Sequence, residues 1–401
     1  MIKRLFESEA AWRYIDAYFP RIFGLLFHTY LLRQYGGELY ALPGWLLGML
    51  GLFMAFLPDP HSYILIRAHG KSAQRLLGLT VPWLLIKIAA CTGIAVVCMY
   101  ALPTNHLTSA HGTTWSTVFA ATALYGSVEF LWAVLGTTSL ATGHVKRVAL
   151  WGVIARLTAI SLIALGWKIG ASSMAEDFLL ATSPVLLVWV FLSPWGGSLR
   201  RSWLFFRFSL RTYTGWNQGI ALSTNAMFQL PLLIIGMSPA VGASTVGLIA
   251  YIGRLLQAAL QPFQILQSIV IKEAAQAARG VTSADPNRLR WIFRFGGVAI
   301  FGSGAAMLGA SVFLGNLTWA SSLLAMAMVA GVALSTWNRY ELAKVLATPR
   351  LKELFLFGYL PVVSATLLLA MLFLDFAGLF GLAIITFLGW VFMSISWKWT
   401  Q

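Results

Sequence analysis

Twelve apolar runs, each long enough to cross a lipid bilayer, constrain the fold of this chain more than any other feature of its sequence. A helix needs about 20 mostly apolar residues to cross the hydrocarbon core. Only 10% of the 401 residues are charged, against about 25% in a soluble domain. We therefore predict an all-α polytopic membrane protein. The predicted spans cover residues 14–33, 40–66, 77–100, 114–140, 148–169, 179–195, 214–236, 244–271, 291–314, 318–337, 354–374 and 377–397.

Lysine and arginine are concentrated in alternate loops between these spans, and this asymmetry predicts the orientation of the chain. Loops rich in these residues remain in the cytoplasm. One set of loops carries most of the cations, whereas the opposite set holds little beyond Arg33 and Lys168. The net charge of +15 therefore reports membrane topology and does not indicate nucleic-acid binding. With an even number of spans, both termini are expected to be cytoplasmic.

The middle of the chain predicts a boundary between two lobes. Residues 197–213 interleave arginine with tryptophan, phenylalanine and leucine, a pattern typical of an amphipathic helix lying on an anionic membrane surface. We expect this helix to link an N-terminal lobe of six spans, residues 1–196, to a C-terminal lobe, residues 214–401. A weak internal similarity between residues 44–75 and 247–279 indicates parallel repeats, which places the expected substrate site between the lobes.

Four cations fall deep within predicted spans: Arg21, Lys87, Arg156 and Arg254. Facing lipid, each would cost about 2.5–3.5 kcal/mol, so we expect them to point inward. Because Glu129 can neutralise only one of them, the sequence predicts a cavity with surplus positive charge, which suits an anion. Two alternatives remain open. Arg21 and Arg156 can instead extend to the cytoplasmic surface, and Glu129 is either a salt-bridge partner or an ion-coupling group.

One further carboxylate lies in an ambiguous place. Asp59 stands between Pro58 and Pro60, at the cytoplasmic end of the second predicted span. A proline break of this kind survives within a membrane only beside protein or a water-filled cavity. The alternative is that the span ends at Leu57 and Asp59 belongs to a loop, so its assignment as a second ion-coupling candidate stays open.

Polar side chains form two rows on otherwise apolar helices. Arg254, Gln257, Gln261, Gln264 and Ser268 follow the spacing of one helical face. Another row comprises Gln218, Asn225 and Gln229. Amide side chains both donate and accept hydrogen bonds without carrying charge, which suits hydroxyl-rich groups such as sugars. The alternative is that these residues only join neighbouring helices.

The sequence offers little for catalysis. It contains no phosphate-binding Walker loop, and its six histidines lack the spacing of metal ligands. The longest predicted external loop, residues 101–113, carries no carboxylate. We therefore predict that the chain is not an enzyme and that it uses no cofactor or metal.

Three stretches resemble polysaccharide flippases of the multidrug/oligosaccharidyl-lipid/polysaccharide exporter superfamily. They are YLLRQYGGELYALPGWLL (30–47), STVGLIAYIGRLLQAALQP (244–262), and LAKVLATPRLKELF with FAGLFGLAIITFLGW towards the C-terminus. The resemblance implies two six-helix lobes around a central cavity, alternating access, and export of an undecaprenyl-diphosphate-linked oligosaccharide across the bacterial inner membrane. It also implies membrane lipid, a polysaccharide polymerase and chain-length proteins as partners.

The resemblance assigns provisional roles to the polar residues. The diphosphate is expected to contact Arg21, Lys87, Arg156 and Arg254, and the sugars Gln257, Gln261, Asn225 and Gln229. Glu129 or Asp59 would carry a coupling ion if one is used. Two other functions remain as alternatives. A drug-type secondary exporter would favour an acidic cavity, because most such cargoes are cations, and a glycan polymerase or ligase would need a larger outer loop.

Overall fold

The computed structural model describes residues 9–56, 70–168, 173–193, 199–209, 215–277, 286–313, 318–346, 351–396 and 398. Over these ranges the secondary structure is entirely helical. The helices are α1 (Glu9–Phe56), α2 (Gly70–Ala101), α3 (Asn105–Thr108), a 3₁₀ turn (Ser109–Thr114), α4 (Trp115–Thr142), α5 (Val145–Lys168), α6 (Met174–Leu192), α7 (Leu199–Ser209), α8 (Gly215–Met237), α9 (Ala243–Ala277), α10 (Pro286–Phe313), α11 (Trp319–Leu346), α12 (Leu351–Glu353), a π-helix (Leu354–Tyr359) and α13 (Leu360–Ile395). Asp59 lies outside the described residues.

Eight described segments are long and apolar enough to cross a membrane, which confirms the predicted all-α membrane protein. Two of them, Tyr18–Ala55 with 38 residues and Leu354–Ile395 with 42 residues, are long enough for two crossings each, since one crossing needs about 20 residues. The twelve predicted spans thus lie on fewer helices than expected, because no separate loop divides the first two spans or the last two.

Single glycines interrupt the two double-length segments. Gly36 has φ 78° and ψ 168° within α1, and Gly378 has φ 57° and ψ −146° within α13. These positive φ angles strain residues that carry a Cβ atom, whereas glycine adopts them readily. Each glycine therefore lets the chain change direction at the point where the sequence predicts a turn between spans.

The chain forms two compact units. The first comprises Met1–Gly215 with Gly242–Gly247, and the second comprises Trp216–Val241 with Leu248–Gln401. The lobe boundaries predicted from the sequence, and the cavity expected between the lobes, stay predictions.

In the first unit, α1 packs on α4 and α5, α6 packs on the same two helices, and α2 packs on α4 and on the short helix α7. Buried Leu84, Trp132 and Trp189 belong to its core. Helix α7 lies within the predicted amphipathic segment, and its Trp203 ring lies tilted against that of Trp83, with centroids 5.9 Å apart, while remaining 52% exposed. That combination fits a helix docked on protein along one side and open to lipid along the other.

In the second unit, α11 packs between α10 and α13. Trp390 of α13 is only 2% exposed and meets Phe228 of α8 edge to face, with ring centroids 6.1 Å apart. A side chain at Gly331 of α11 would overlap this indole, so the absence of a Cβ atom lets the two helices approach closely. The tryptophan therefore ties three helices of this unit together.

Within the first unit, Gly247 at the start of α9 lies directly against the backbone of Gly37 in α1, so that a Cβ atom at Gly247 would overlap the Gly37 carbonyl oxygen. Because backbone cannot yield as a flexible side chain does, we expect Gly247→Ala to destabilise the protein by about 1–3 kcal/mol. The measurement is the melting temperature of the purified protein. Gly253→Ala on the same helix is the control, since a Cβ atom there would have a methionine methyl group at 3.9 Å as its nearest neighbour. Equal melting temperatures for the two variants would contradict the prediction.

Candidate functional site

An ion pair lies in the interior of the first unit. Arg156 of α5 is fully buried, and its Nη2 donates to both carboxylate oxygens of Glu129 of α4, at 2.9 and 3.0 Å. The guanidinium also lies 5.0 Å from the centre of the Trp132 ring and 6.0 Å from that of Phe23. Two hydrogen bonds from one charge to another stabilise such a pair away from water. Of the two roles left open for Glu129, the salt-bridge partner is the one that the structure shows.

The location of Arg156 bears on its expected contact with substrate. A side chain with no exposed surface cannot touch a diphosphate unless the helices around it rearrange. It does not extend to the membrane surface either, because it is enclosed by α1 and α4. In the conformation described, Arg156 is a buried structural cation and does not line a cavity.

A second carboxylate faces the same arginine. Asp16 of α1 interacts electrostatically with Arg156 and packs against α4 at Gly136, where a Cβ atom would collide with the aspartate. The Asp16 Oδ1 atom is buried and has no hydrogen-bond partner among the described residues. The arginine is therefore flanked by two acidic groups where the sequence predicted one.

Lys87 is the other fully buried cation of the first unit. It lies on α2 with its Nζ atom 4.7 Å from the centre of the Phe130 ring of α4. A desolvated ammonium group over an aromatic face gains about 2 kcal/mol or more. The lysine thus avoids lipid, as predicted, but does so by packing between helices and without exposure to a cavity.

A buried aspartate that the sequence analysis did not single out lies at the start of α6. Asp177 is fully buried, and its Oδ2 accepts hydrogen bonds from Tyr35 at 2.7 Å and from Tyr30 at 3.0 Å. A capping box between Ser173 and Glu176 begins the helix. The pattern Ser-x-x-Glu before an apolar run is a sequence signature of a helix start, so it could have placed Asp177 inside the span.

These placements change the charge balance of the first unit. Its interior holds Lys87 and Arg156, but it also holds Glu129, Asp16 and Asp177. Within the described part of this unit, the buried cations are therefore matched by carboxylates, while the surplus positive charge expected in a cavity between the lobes stays a prediction. Asp16 lies near the start of the predicted span 14–33 and Asp177 just before the predicted span 179–195, and the helix packing buries oxygens of both carboxylates.

The remaining predicted cation of the first unit has a different setting. Arg21 lies on α1 and is exposed. An exposed position near the end of a span suits a side chain that extends to the headgroups, and it also leaves the guanidinium accessible to a ligand. Both interpretations given for Arg21 therefore stay open.

The structure describes the side chains of only the first part of the polar row on α9. Arg254 is half-buried, and its Nη1 donates to Oε1 of half-buried Gln257 at 3.0 Å. This contact follows from the spacing of three residues along one helical face. The side chains of Gln261, Gln264 and Ser268 lie outside the described residues.

The row on α8 is not one continuous polar surface. Asn225 is exposed, whereas Gln229, four residues later, is only 6% exposed; the side chain of Gln218 lies outside the described residues. Among the described side chains of the second unit, the predicted residues with accessible surface are therefore Arg254, Gln257 and Asn225.

Comparison with known proteins gives a match in fold. No family model and no curated protein matches the sequence. The solved structure of "Lipid II flippase MurJ, inward closed conformation" aligns over 96% of this chain and 86% of its own, with a TM-score of 0.59 and 13% identity. A point mutant of the Vibrio cholerae MATE transporter VcmN aligns over 99% of this chain and 97% of its own, with a TM-score of 0.49 and 12% identity. A MATE in complex with Br-NRF aligns over 99% and 95%, with a TM-score of 0.49 and 13% identity.

The match to MurJ extends over nearly the whole chain, and MurJ is a member of the superfamily that the sequence motifs resemble. At 13% identity the likeness concerns the arrangement of helices and assigns no residue a role. The chain therefore shares its fold with this lipid II flippase.

Proposed function

We propose that the protein is a flippase that moves an undecaprenyl-diphosphate-linked oligosaccharide from the cytoplasmic to the periplasmic leaflet for surface polysaccharide synthesis. The observation that carries the proposal is the fold shared with a lipid II flippase over 96% of the chain. A polysaccharide polymerase and chain-length proteins are the expected partners, and the bacterial inner membrane is the expected location. No chemical step is assigned to the protein.

The accessible polar groups of the second unit support this cargo. Arg254 offers a permanently charged, planar donor of the kind that recognises phosphate oxygens. Gln257 and Asn225 offer amides that hydrogen-bond sugar hydroxyls without a charge penalty. Since Arg156 and Lys87 are enclosed by packing, we assign the principal phosphate contact to half-buried Arg254, and the phosphate contact expected of Arg21 stays a prediction.

The membrane potential supplies a driving force in this scheme. Moving each negative charge outward across an inside-negative membrane is favoured by about 2.3 kcal/mol per 100 mV. In vesicles containing the purified protein and a fluorescent lipid-linked oligosaccharide, we expect transport to accelerate when the cytoplasmic side is made negative. Quenching of the fluorophore in the outer leaflet measures the rate, and protein-free vesicles give the background. Transport at an unchanged rate with the potential clamped to zero would contradict voltage driving; a rate equal to that of protein-free vesicles would contradict the function.

A drug-type exporter is the second candidate, because the buried carboxylates of the first unit favour it. Asp177 is fully buried and, among the described residues, pairs with tyrosine hydroxyls and no cation. An acidic interior suits cationic cargo. Efflux of ethidium from the same vesicles distinguishes the two candidates: a flippase for anionic glycolipid leaves the dye inside, whereas a drug-type exporter removes it.

A further inference from the structure

An arginine of the second unit lies against two exposed tryptophan rings. The guanidinium carbon of Arg294 on α10 is 5.6 Å from the ring centre of Trp291 on the same helix and 5.5 Å from that of Trp337 on α11. The two tryptophans are 53% and 39% exposed, and Arg294 is half-buried. Because a guanidinium is attracted to an aromatic ring, the two rings hold this charge at the surface of the unit.

The charge of Arg294 is not cancelled by the described part of the protein. Arg294 forms no ion pair and no hydrogen bond with a described residue. Its neighbour Arg290, four residues earlier, has a partner, since its Nε atom donates to Oε1 of Glu341 at 2.7 Å. With that pair neutral, one positive charge is left at this surface among the described side chains.

The surface beside Arg294 is apolar. Trp291, Phe295, Val298 and Phe301 are spaced as on one face of a helix, and their side chains are between 46% and 67% exposed. An exposed apolar face of this length marks a contact with membrane or with protein. Since this chain crosses the membrane, the acyl chains of lipids are the surroundings that such a face requires.

The guanidinium lies at the level of the membrane where lipid headgroups are expected. Trp291 begins the predicted span 291–314, and Trp337 ends the predicted span 318–337. Helix α10 packs on α11, and a Cβ atom at Gly297 would lie 3.2 Å from the backbone nitrogen of Trp337, so these two span ends are side by side. Tryptophan is enriched where the hydrocarbon meets the headgroups. A lipid phosphate at that level is therefore within reach of the arginine.

The chemistry of these groups selects the kind of lipid. A phosphodiester carries one negative charge, which equals the charge left at this surface, and a planar guanidinium can donate to two phosphate oxygens at once. Phosphatidylcholine and phosphatidylethanolamine also contain a phosphodiester, but each carries an ammonium group that Arg294 and Arg290 repel. Phosphatidylglycerol has an uncharged headgroup alcohol instead. The site therefore favours an anionic phospholipid over a zwitterionic one.

We propose that Arg294, Trp291 and Trp337 form a binding site for one anionic phospholipid of the surrounding bilayer. The phosphate of this lipid binds the guanidinium, and its acyl chains lie along the apolar face of α10 that runs from Trp291 to Phe301. The bound lipid neutralises Arg294 and stabilises the packing of α10 on α11. This site is separate from the Arg254 contacts assigned to the transported lipid, and its existence does not depend on the transport activity.

The test uses native mass spectrometry to count the lipids bound to the detergent-purified full chain, with phosphatidylglycerol or phosphatidylcholine of the same acyl chains. We expect the wild type to bind phosphatidylglycerol about tenfold more tightly. Arg294→Gln should lose one tightly bound phosphatidylglycerol, because its affinity for that molecule falls about tenfold, the loss expected for a hydrogen bond between charged groups. Arg147→Gln is the control: it removes an exposed cation in the first turn of α5 and should bind phosphatidylglycerol as the wild type does.

A milder variant keeps the proposal testable if Arg294→Gln does not fold. Trp337→Leu keeps the charge but removes one ring that orients it, so we expect the affinity for phosphatidylglycerol to fall about threefold. Equal binding of the two lipids by the wild type would overturn the proposal. So would phosphatidylglycerol binding by Arg294→Gln or by Trp337→Leu that equals that of the wild type.

Two further outcomes would identify a different occupant and would also overturn the proposal. Displacement of the bound lipid by inorganic phosphate would indicate a site for a free anion without acyl-chain contacts. A dimer of the full chain that persists in phosphatidylglycerol, and that Arg294→Gln dissociates, would assign this surface to a second copy of the protein.

Discussion

Arg254→Glu is expected to reduce export of the lipid-linked oligosaccharide by about 30-fold or more while the protein remains in the membrane. Replacing a charged donor that contacts a charged ligand costs about 2–5 kcal/mol, and reversal adds repulsion between the new carboxylate and the diphosphate. The half-buried guanidinium is already oriented by its hydrogen bond to Gln257, so the side chain loses little conformational entropy when it binds the ligand. The rate in reconstituted vesicles and the polysaccharide at the cell surface are the two measurements.

Two control variants separate the role of Arg254 from a general effect of charge. Arg147→Glu makes the same change at an exposed position in the first turn of α5 and should export normally. Arg254→Lys keeps the charge but loses the planar fork of donors, so we expect an intermediate rate. Normal export by Arg254→Glu would show that this residue does not touch the substrate.

Removing the partner of the buried arginine should have the largest effect on stability. Glu129→Leu leaves Arg156 fully buried without its two hydrogen bonds, and breaking a buried pair in this way costs about 3–5 kcal/mol. The double variant Glu129→Leu with Arg156→Met removes both charges of the pair but leaves Asp16 without its cation, so it should recover only part of the loss. Unfolding of the purified protein in increasing denaturant measures the free-energy differences.

The same variants distinguish a structural from a transport role for Arg156. If the pair only holds α4 and α5 together, the folded double variant should transport at a nearly normal rate. Wild-type stability in Glu129→Leu would contradict the structural interpretation. A stable double variant that has lost transport would return Arg156 to the set of substrate contacts.

The sequence predicted those features of the fold that depend on local composition. The membrane class follows from the apolar runs, and the contact of Arg254 with Gln257 follows from helical spacing, because both are properties of neighbouring residues. The turns at Gly36 and Gly378 were expected as loops. Each is instead a single glycine with positive φ within a helix, a conformation that glycine adopts without strain.

The partners of buried charges could not be predicted in the same way. Asp177 accepts hydrogen bonds from tyrosines more than 140 residues earlier in the chain, and no sequence spacing encodes such a contact. Hydropathy likewise assigns a charge near a span end to the membrane surface, although packing can enclose it, as for Asp16. The charge balance inside the first unit therefore depends on tertiary contacts that the sequence does not encode, and the surplus positive charge expected in a cavity between the lobes stays a prediction.

The glycine turns also determine which experiments can map the topology of the chain. Where Gly36 and Gly378 each join two crossings through a single residue, almost no chain protrudes for a protease to cut or for an antibody tag to replace. The 3₁₀ turn Ser109–Thr114 offers more, since Gly112 within it is exposed and departs from helical geometry. Insertion of a cleavage site at Gly112 should therefore be tolerated and test the external location predicted for this segment, whereas the same insertion at Gly36 should disrupt folding.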